Sequence, residues 1–228
     1  MKKEYYKAYD KRYKAYHDQE NQAWAGDRPS YVLKDIINKY IKNNMDSKIL
    51  EIGCGEGQNA IYLLQNGYNI EASDVSREAI KWCKKEAKKH DIKEGHFFVL
   101  DVLNNKLTKK YDLIYSISTL HMLVRDEDRK KFLDFVHDHL NDSGTAIITI
   151  MGDGIKEQNN SDITKSFDDA ERIINGKKVT VATTSCRIVN WETFFNELRN
   201  SNLSVLNHYI NNEISGFNSS MIVELKRK

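Results

Sequence analysis

Proline is almost missing from this chain: Pro29 is the one such residue in 228. Cysteine is scarce as well, with Cys54, Cys83 and Cys186 odd in number and widely spaced. A disulfide framework is therefore not expected, and reduced thiols in a cytoplasmic protein fit better. No Cys-x-x-Cys or His-x-x-x-His pair occurs, which argues against a structural zinc site. No apolar run approaches the roughly 20 residues of a membrane span. The opening Met1-Lys2-Lys3-Glu4-Tyr5-Tyr6 lacks the apolar core of a signal peptide. Charge of one sign is also lacking: 35 basic against 33 acidic residues leave a formal charge of +2. No global field draws the chain to nucleic acid or to an anionic membrane.

What the chain does have is concentrated between Lys48 and Asn59. The run Lys48-Ile49-Leu50-Glu51-Ile52 stops at Gly53-Cys54-Gly55-Glu56-Gly57, and a helical pattern follows. This reads as a strand, a tight turn and a helix N-terminus, where an open α/β sheet holds a nucleotide-like ligand. The glycines are spaced Gly-x-Gly-x-Gly. A dinucleotide fingerprint needs Gly-x-Gly-x-x-Gly, and Gln58 stands where its last glycine would be.

Strand and helix then alternate. Strands are expected at 48–52, 68–73, 96–100, 111–117 and 145–151, with helices at 59–65, 76–90 and 126–140 between them. Asn141-Asp142-Ser143-Gly144 reads as a turn before the fifth strand. Such alternation means parallel strands joined by right-handed crossovers. Before this core, Tyr5, Tyr9, Tyr13 and Tyr16 fall at helical spacing, and Pro29 suits the first turn of a helix running to about Asn43. After it, Asn175-Gly176 marks a hairpin turn between Ile173-Ile174 and Val179-Thr180-Val181. A helix at 191–199 and two strands at 203–211 and 219–225, antiparallel to each other, close the chain. We read one domain: a helical cap at 1–45, a ligand-binding core at 46–151, an insertion at 152–190 that could be a lid, and a closing segment at 191–228.

Three carboxylates fall at the carboxyl ends of successive strands: Glu51, Asp74 and Asp101. Such ends are where an open parallel sheet binds its ligand. An acid after the second strand can accept both ribose hydroxyls, and one after the third can accept an adenine amino group. Glu51 lies under the glycine turn, within reach of the backbone or of a cationic ligand group.

With these residues in view, the chain resembles the class I S-adenosylmethionine-dependent methyltransferases, motif by motif over Ser47 to Met151. The resemblance implies a Rossmann-like α/β fold with a seven-stranded, mostly parallel sheet in the order 3-2-1-4-5-7-6. It implies that Glu51, Gly53, Cys54, Gly55, Gly57 and Asn59 surround the methionine part of S-adenosylmethionine, that Asp74 and Val75 hold the ribose, and that Asp101 and Val102 hold the adenine. Tyr115 to Leu123 matches the fourth strand and the loop facing the transferred methyl, with Ser116 beside the cofactor. Trp24 to Ser30 is similar to the N-terminal segment of small-molecule members of the tellurite-resistance and thiol methyltransferase groups, which implies that Trp24 and Arg28 cover the cofactor or meet its carboxylate.

An acceptor that carries a proton must lose it, and His121, just beyond strand four, is the candidate base. Asp153, Cys186 and Arg187 are possible acceptor contacts on the insertion, and the tyrosine face of the first helix reads first as packing that helix onto the domain and second as the roof of an acceptor pocket. His137-Asp138-His139 is read as solvated helix surface, since residues two apart on a helix do not share a face. The run Lys81, Lys84, Lys85, Lys88, Lys89 is likewise read as a solvated face.

The expected partner is a small-molecule acceptor, with no nucleic acid and no membrane, for a monomer or homodimer. Base amino-group methylation commonly uses an Asp/Asn-Pro-Pro-Tyr segment where this chain has Ser116-Ile117-Ser118-Thr119, and cytosine C5 chemistry needs a cysteine near strand four. The alternatives are an NAD(P)-dependent oxidoreductase, an RNA or protein methyltransferase of the same fold, and a non-catalytic cofactor-binding protein.

Overall fold

A computed structural model describes residues 5–24, 29–159, 167–212 and 219–228. Helix α1 (Tyr5–His17) leads to α2 (Tyr31–Ile36), which continues as a π-helical turn over Ile37–Ile41. The core follows as β1 (Ile49–Ile52), α3 (Gln58–Gln65), β2 (Ile70–Asp74), α4 (Arg77–Lys88), β3 (Phe97–Val99), β4 (Tyr111–Ile117), α5 (Asp126–His139) and β5 (Leu140–Met151). The insertion carries β6 (Gln158–Asn159), β7 (Asp169–Ile174), β8 (Lys177–Ala182) and β9 (Arg187–Ile188). The chain closes with α6 (Trp191–Arg199), β10 (Leu203–Asn211) and β11 (Ser220–Arg227).

The main sheet has seven strands in the order β3-β2-β1-β4-β5-β11-β10. β1 to β5 run parallel, and β11 is antiparallel to both β5 and β10. This is the expected order 3-2-1-4-5-7-6, with β10 and β11 as the sixth and seventh strands of the sheet.

Both faces of the sheet are covered, so its central strands are apolar at successive positions rather than at alternate ones. Ile49, Ile70, Leu113 and Ile147 enter a core against α2, α3 and α4. Their neighbours Leu50, Ile114, Ala146 and Ile148 enter a second core against α5 and α6. Helix starts follow local chemistry: the Ser76 hydroxyl accepts from Ala79 N at 3.2 Å, and Asn190 Oδ1 accepts from Thr193 N at 2.9 Å.

Four local readings need correction. Pro29 lies one residue before the N-cap Ser30 rather than inside the first turn of α2. That helix changes to π geometry at Ile37 and ends by Ile41, short of Asn43. β5 starts at Leu140, and residues 141–144 bulge out of it, because Tyr111 pairs with Leu140 while Leu113 pairs with Thr145. His139 is buried, not solvated: its Nδ1 meets Phe135 O at 2.8 Å, Leu107 N–H donates to its Nε2 at 2.9 Å, and its ring stacks on Phe135.

The Asn175–Gly176 hairpin forms between β7 and β8, with φ of +49° and +76° at the two turn residues. Positive φ at both is the twist-matched two-residue turn. The hairpin does not join the main sheet; it lies against α1, where the Arg12 guanidinium donates to Ala182 O at 3.1 Å. No helix among the described residues is long and apolar enough to cross a membrane.

Candidate functional site

The site begins with the turn after β1. Gly53, Gly55 and Gly57 all have positive φ. At Gly53 a Cβ would stand 2.1 Å from Thr119 Oγ1, so only glycine lets the turn pass under the end of β4. The turn's amides are used internally. Gly53 N and Cys54 N donate to Ser73 O at 2.8 and 2.9 Å, and Gly55 N donates to Asp74 Oδ2 at 2.9 Å.

Beside the turn lies a cavity of about 440 Å³. Its floor is the carboxyl end of β1, β2 and β4, and its roof is the tyrosine face of α1, with Tyr5, Tyr9 and Tyr13 among the lining residues. Asp10 ties α1 to the start of α4, accepting from Ser76 Oγ at 2.7 Å and Glu78 N at 3.2 Å. His17 stacks on Trp82 with ring centres 4.2 Å apart and meets Glu56 Oε1 at 3.2 Å. The same Glu56 oxygen accepts from Ala23 N. Glu56, in the middle of the glycine turn, therefore locks the cap onto the core.

Besides Glu56, two buried carboxylates line the cavity. Glu51 accepts from Asn59 Nδ2 at 3.1 Å, and burial, with Asp74 nearby, pushes its carboxyl up to about 7. Asp74 accepts from Ser76 N and Gly55 N, each at 2.9 Å, yet burial still pushes it up to about 6. A buried acid with a raised pKa is poised to favour a cation beside it.

The far wall comes from the end of β4 and the loop after it. Ser118 holds φ +60°, an uncommon conformation for a residue with a Cβ, and its N–H donates to Thr149 Oγ1 at 2.9 Å. His121 lines the cavity but is almost fully buried, and its Nδ1 accepts from Met151 N at 3.3 Å. Burial, with the Arg129 cation adding to it, pushes the imidazole down to about 4. It is neutral near pH 7.

Of the residues marked from the sequence, Glu51, Gly53, Cys54, Gly55, Asn59, Asp74, Val75, Val102, Trp24 and His121 line this one cavity. Gly57, Ser116 and Asp101 are not among the lining residues. Gly57 is the left-handed N-cap of α3, and a Cβ there would stand 2.8 Å from Cys83 Sγ. Ser116 donates its hydroxyl into the sheet, to Ile52 O at 2.9 Å. The Asp101 carboxylate accepts from the Tyr5 hydroxyl, from Leu103 N at 3.0 Å and from Asn104 Nδ2 at 2.7 Å. Arg28 lies outside the described residues. On the insertion, Cys186 lines the cavity, Arg187 binds Val124 O and Asp126 instead, and Asp153 caps the exposed amides of Ile155 and Lys156. Sequence reasoning missed Glu56, Ser30, Gln58, Met122 and Met151, all of which line the cavity. Glu56 and Gln58 stood inside the glycine segment, and Ser30 and Met122 inside the Trp24–Ser30 and Tyr115–Leu123 segments that the resemblance marked; Met151 carried no local signal.

Residues 49–144 match the family model described as a methyltransferase domain. A ubiquinone biosynthesis O-methyltransferase of Rickettsia canadensis is 26% identical over 127 residues, covering 54% of this chain and 50% of that protein. A probable S-adenosyl-L-methionine-dependent methyltransferase, TehB of Haemophilus influenzae, is 25% identical over 101 residues, covering 44% of this chain and 35% of that protein. The chain thus spans at most about half the length of these two curated relatives. Among solved structures, the glycopeptide N-methyltransferase MtfA complexed with S-adenosyl-L-methionine superposes with a TM-score of 0.65 at 15% identity, over 89% of this chain and 88% of that one.

Residues 49–144 are thus similar to a methyltransferase domain, and the fold around them is that of the solved class I methyltransferases. The matched segment holds β1 to β4, α5 and the glycine turn. The tyrosine roof and the insertion lie outside it.

Proposed function

We propose that the chain transfers a methyl group from S-adenosylmethionine to a small-molecule acceptor bound in the same chamber. The observation that carries this reading is the character of the glycine turn. A dinucleotide fold offers free turn amides to a pyrophosphate. Here the amides of Gly53, Cys54 and Gly55 are already bonded, and the cavity face beside them carries Glu51, Glu56 and Asp74. Such a wall repels phosphate and suits a cation. The buried carboxylates of raised pKa, the glycine cradle and the roof of aromatic rings together fit a sulfonium-bearing adenosyl group.

When bound, that group would supply an electrophilic methyl carbon. The chain's own residues do the rest. Glu51, held by Asn59, would meet the cationic methionine end. Asp74 keeps acceptor capacity for ribose hydroxyls beyond its two backbone bonds. Val75 and Val102 give apolar contact, with Trp24 at the rim beneath the Arg12 guanidinium, 4.2 Å from its ring centre. Tyr5, Tyr9 and the loop carrying His121 and Met122 would exclude water and align the acceptor, and alignment alone is worth about 7–11 kcal/mol of barrier. Neutral His121 is in the protonation state a base requires.

The remaining elements belong to the same proposal. Residues 152–190 serve as a lid, supported by Cys186 and Thr184 in the chamber wall. The free thiols of Cys54, Cys83 and Cys186 suit a cytoplasmic setting. Asp101 would serve the adenine only after releasing Tyr5, so the Tyr5 hydroxyl stands in for a ligand donor.

Calorimetric titration tests the reading. S-adenosylmethionine and S-adenosylhomocysteine should bind with a stoichiometry of one while NAD and NADP do not. A screen of small acceptors for S-adenosylhomocysteine release should then find turnover. Uptake of a nicotinamide nucleotide in place of the sulfonium compound would overturn it.

A further inference from the structure

Among the described residues, the largest fully buried side chain is not apolar. It is Arg129, on α5, only 1% exposed. Its Nε and Nη2 pair with both Glu197 oxygens on α6, at 2.8 and 2.7 Å. Its remaining nitrogen, Nη1, donates to Leu120 O at 3.0 Å and to Leu123 O at 3.4 Å. Removing a guanidinium from water costs several kcal/mol, and well-packed apolar residues often serve stability as well or better. Core stability therefore does not account for the ion pair, and the two carbonyls supply a reason for it. Leu120 and Leu123 bracket the short 3₁₀ turn that brings His121 and Met122 into the chamber wall.

Within the turn Leu123 N donates to Leu120 O at 3.1 Å, and side chains from outside also serve its carbonyls. Three side chains do so. Arg129 serves Leu120 and Leu123 from α5. Ser185 Oγ serves Met122 O at 2.7 Å from the insertion. Arg187 Nη1 serves Val124 O at 3.3 Å and Arg187 Nη2 lies 3.9 Å from Glu197. The loop that borders the acceptor end of the cavity is thus held by one network centred on the Arg129–Glu197 pair.

We propose that Arg129 is the positioning residue of the acceptor subsite: clamped by Glu197, it fixes the Leu120–Val124 loop that brings His121 and Met122 into the chamber wall. This rests on the proposed function for its kinetic consequences but not for its structural ones. The groups packed around His121 agree with it. Arg129 is the charged neighbour that acts on the imidazole, Met151 offers an amide donor to Nδ1, and the acids of the chamber wall are Glu51, Glu56 and Asp74 on the glycine-turn side.

The test compares the wild type with Arg129→Met and, to spare the fold, with Glu197→Gln and Ser185→Ala. The His121 imidazole signals are followed by nuclear magnetic resonance in ligand-free protein. Wild-type His121, held down first by burial, should titrate near pH 4, and Arg129→Met should move that midpoint upward, the direction expected when a like charge is removed. S-adenosylhomocysteine affinity should stay within about twofold, since the network touches none of the residues assigned to the cofactor. With an acceptor identified in the screen, KM should rise at least about tenfold in Arg129→Met and in Ser185→Ala, because misplacement of about 1 Å can cost 10²-fold. Conservative Arg129→Lys, which keeps the charge but loses the fork, should restore the imidazole midpoint and not the KM. An unmoved acceptor KM in both Arg129→Met and Ser185→Ala overturns the proposal. If Arg129→Met does not fold, Glu197→Gln and Ser185→Ala decide the KM question. Failure of the wild type to bind S-adenosylhomocysteine would overturn the proposed function instead, and the ligand-free titration would still judge the Arg129–His121 coupling.

Discussion

Gly53 and His121 show what one position can and cannot carry. At Gly53 the backbone demands φ +75° and the Thr119 side chain fills the space a Cβ would take. Gly53→Ala therefore combines a left-handed alanine, costing roughly 1–2 kcal/mol, with a steric overlap that must move Thr119 or the turn. We expect the midpoint of thermal unfolding to fall by several degrees and ligand affinity to drop at least about tenfold, the first read by calorimetric scanning and the second by titration. This position was legible because glycines at alternate positions after an aliphatic run mark a tight turn that leaves no room for side chains. His121 was legible only as a location. Its burial and the cation behind it come from α5 and the strands around it, and they weaken it as a base. His121→Ala should lower turnover by about 10²-fold, the lower end for a general base, and leave cofactor affinity unchanged. Full turnover with the true acceptor would remove the imidazole from the mechanism. Ser116 and Asp101 illustrate the opposite case: right strand, right end, but one side chain turned into the sheet and the other holding Tyr5.

Among the elements, those with a strong period could be read to the residue. β4, α6 and β10 span the expected Tyr111–Ile117, Trp191–Arg199 and Leu203–Asn211. The bulge in β5 and the β6–β9 pairing could not, because both are made by partners distant in sequence. α1 lies between these cases. Its tyrosine spacing announced an aromatic face, but the same pattern serves a packing helix or a roof. The structure makes it both. Of its residues Tyr13 alone is classed as buried, and the two main cores contain none of its side chains. We therefore expect a chain lacking residues 1–20 to keep its circular dichroism and a cooperative melt, while S-adenosylhomocysteine affinity falls at least about tenfold and transfer activity is lost. Retained affinity would show that α1 only decorates the domain. The milder Tyr5→Phe should free Asp101 from its phenol and leave the fold intact.

At the scale of the whole molecule, the cavity makes stability depend on pH in a definite sense. Glu51 and Asp74 are raised from ordinary values of 4.5 and 3.8 to about 7 and about 6. Between those limits the folded, ligand-free chain binds more protons than the unfolded one. Stability from these two groups is thus fully present below about pH 4 and is lost as pH rises through 6 and 7. The loss is on the order of a few kcal/mol by pH 8. A cationic ligand reverses the balance, because it favours the ionised carboxylates and expels their protons. The shift in unfolding temperature caused by S-adenosylmethionine should therefore grow from pH 5.5 to pH 8. Calorimetric binding heats at pH 6.5 should vary with the buffer's ionisation enthalpy, revealing proton release. Other groups titrate over the same range, so the decisive comparison is Glu51→Gln against wild type. The amide has no proton to give up, so its ligand-free stability should fall less between pH 5 and pH 8, and its ligand-induced shift should be smaller and flatter. If the two proteins show parallel pH profiles with and without ligand, the buried acid under the glycine turn does not face the cation, and the orientation assigned to the cofactor in this chamber is wrong.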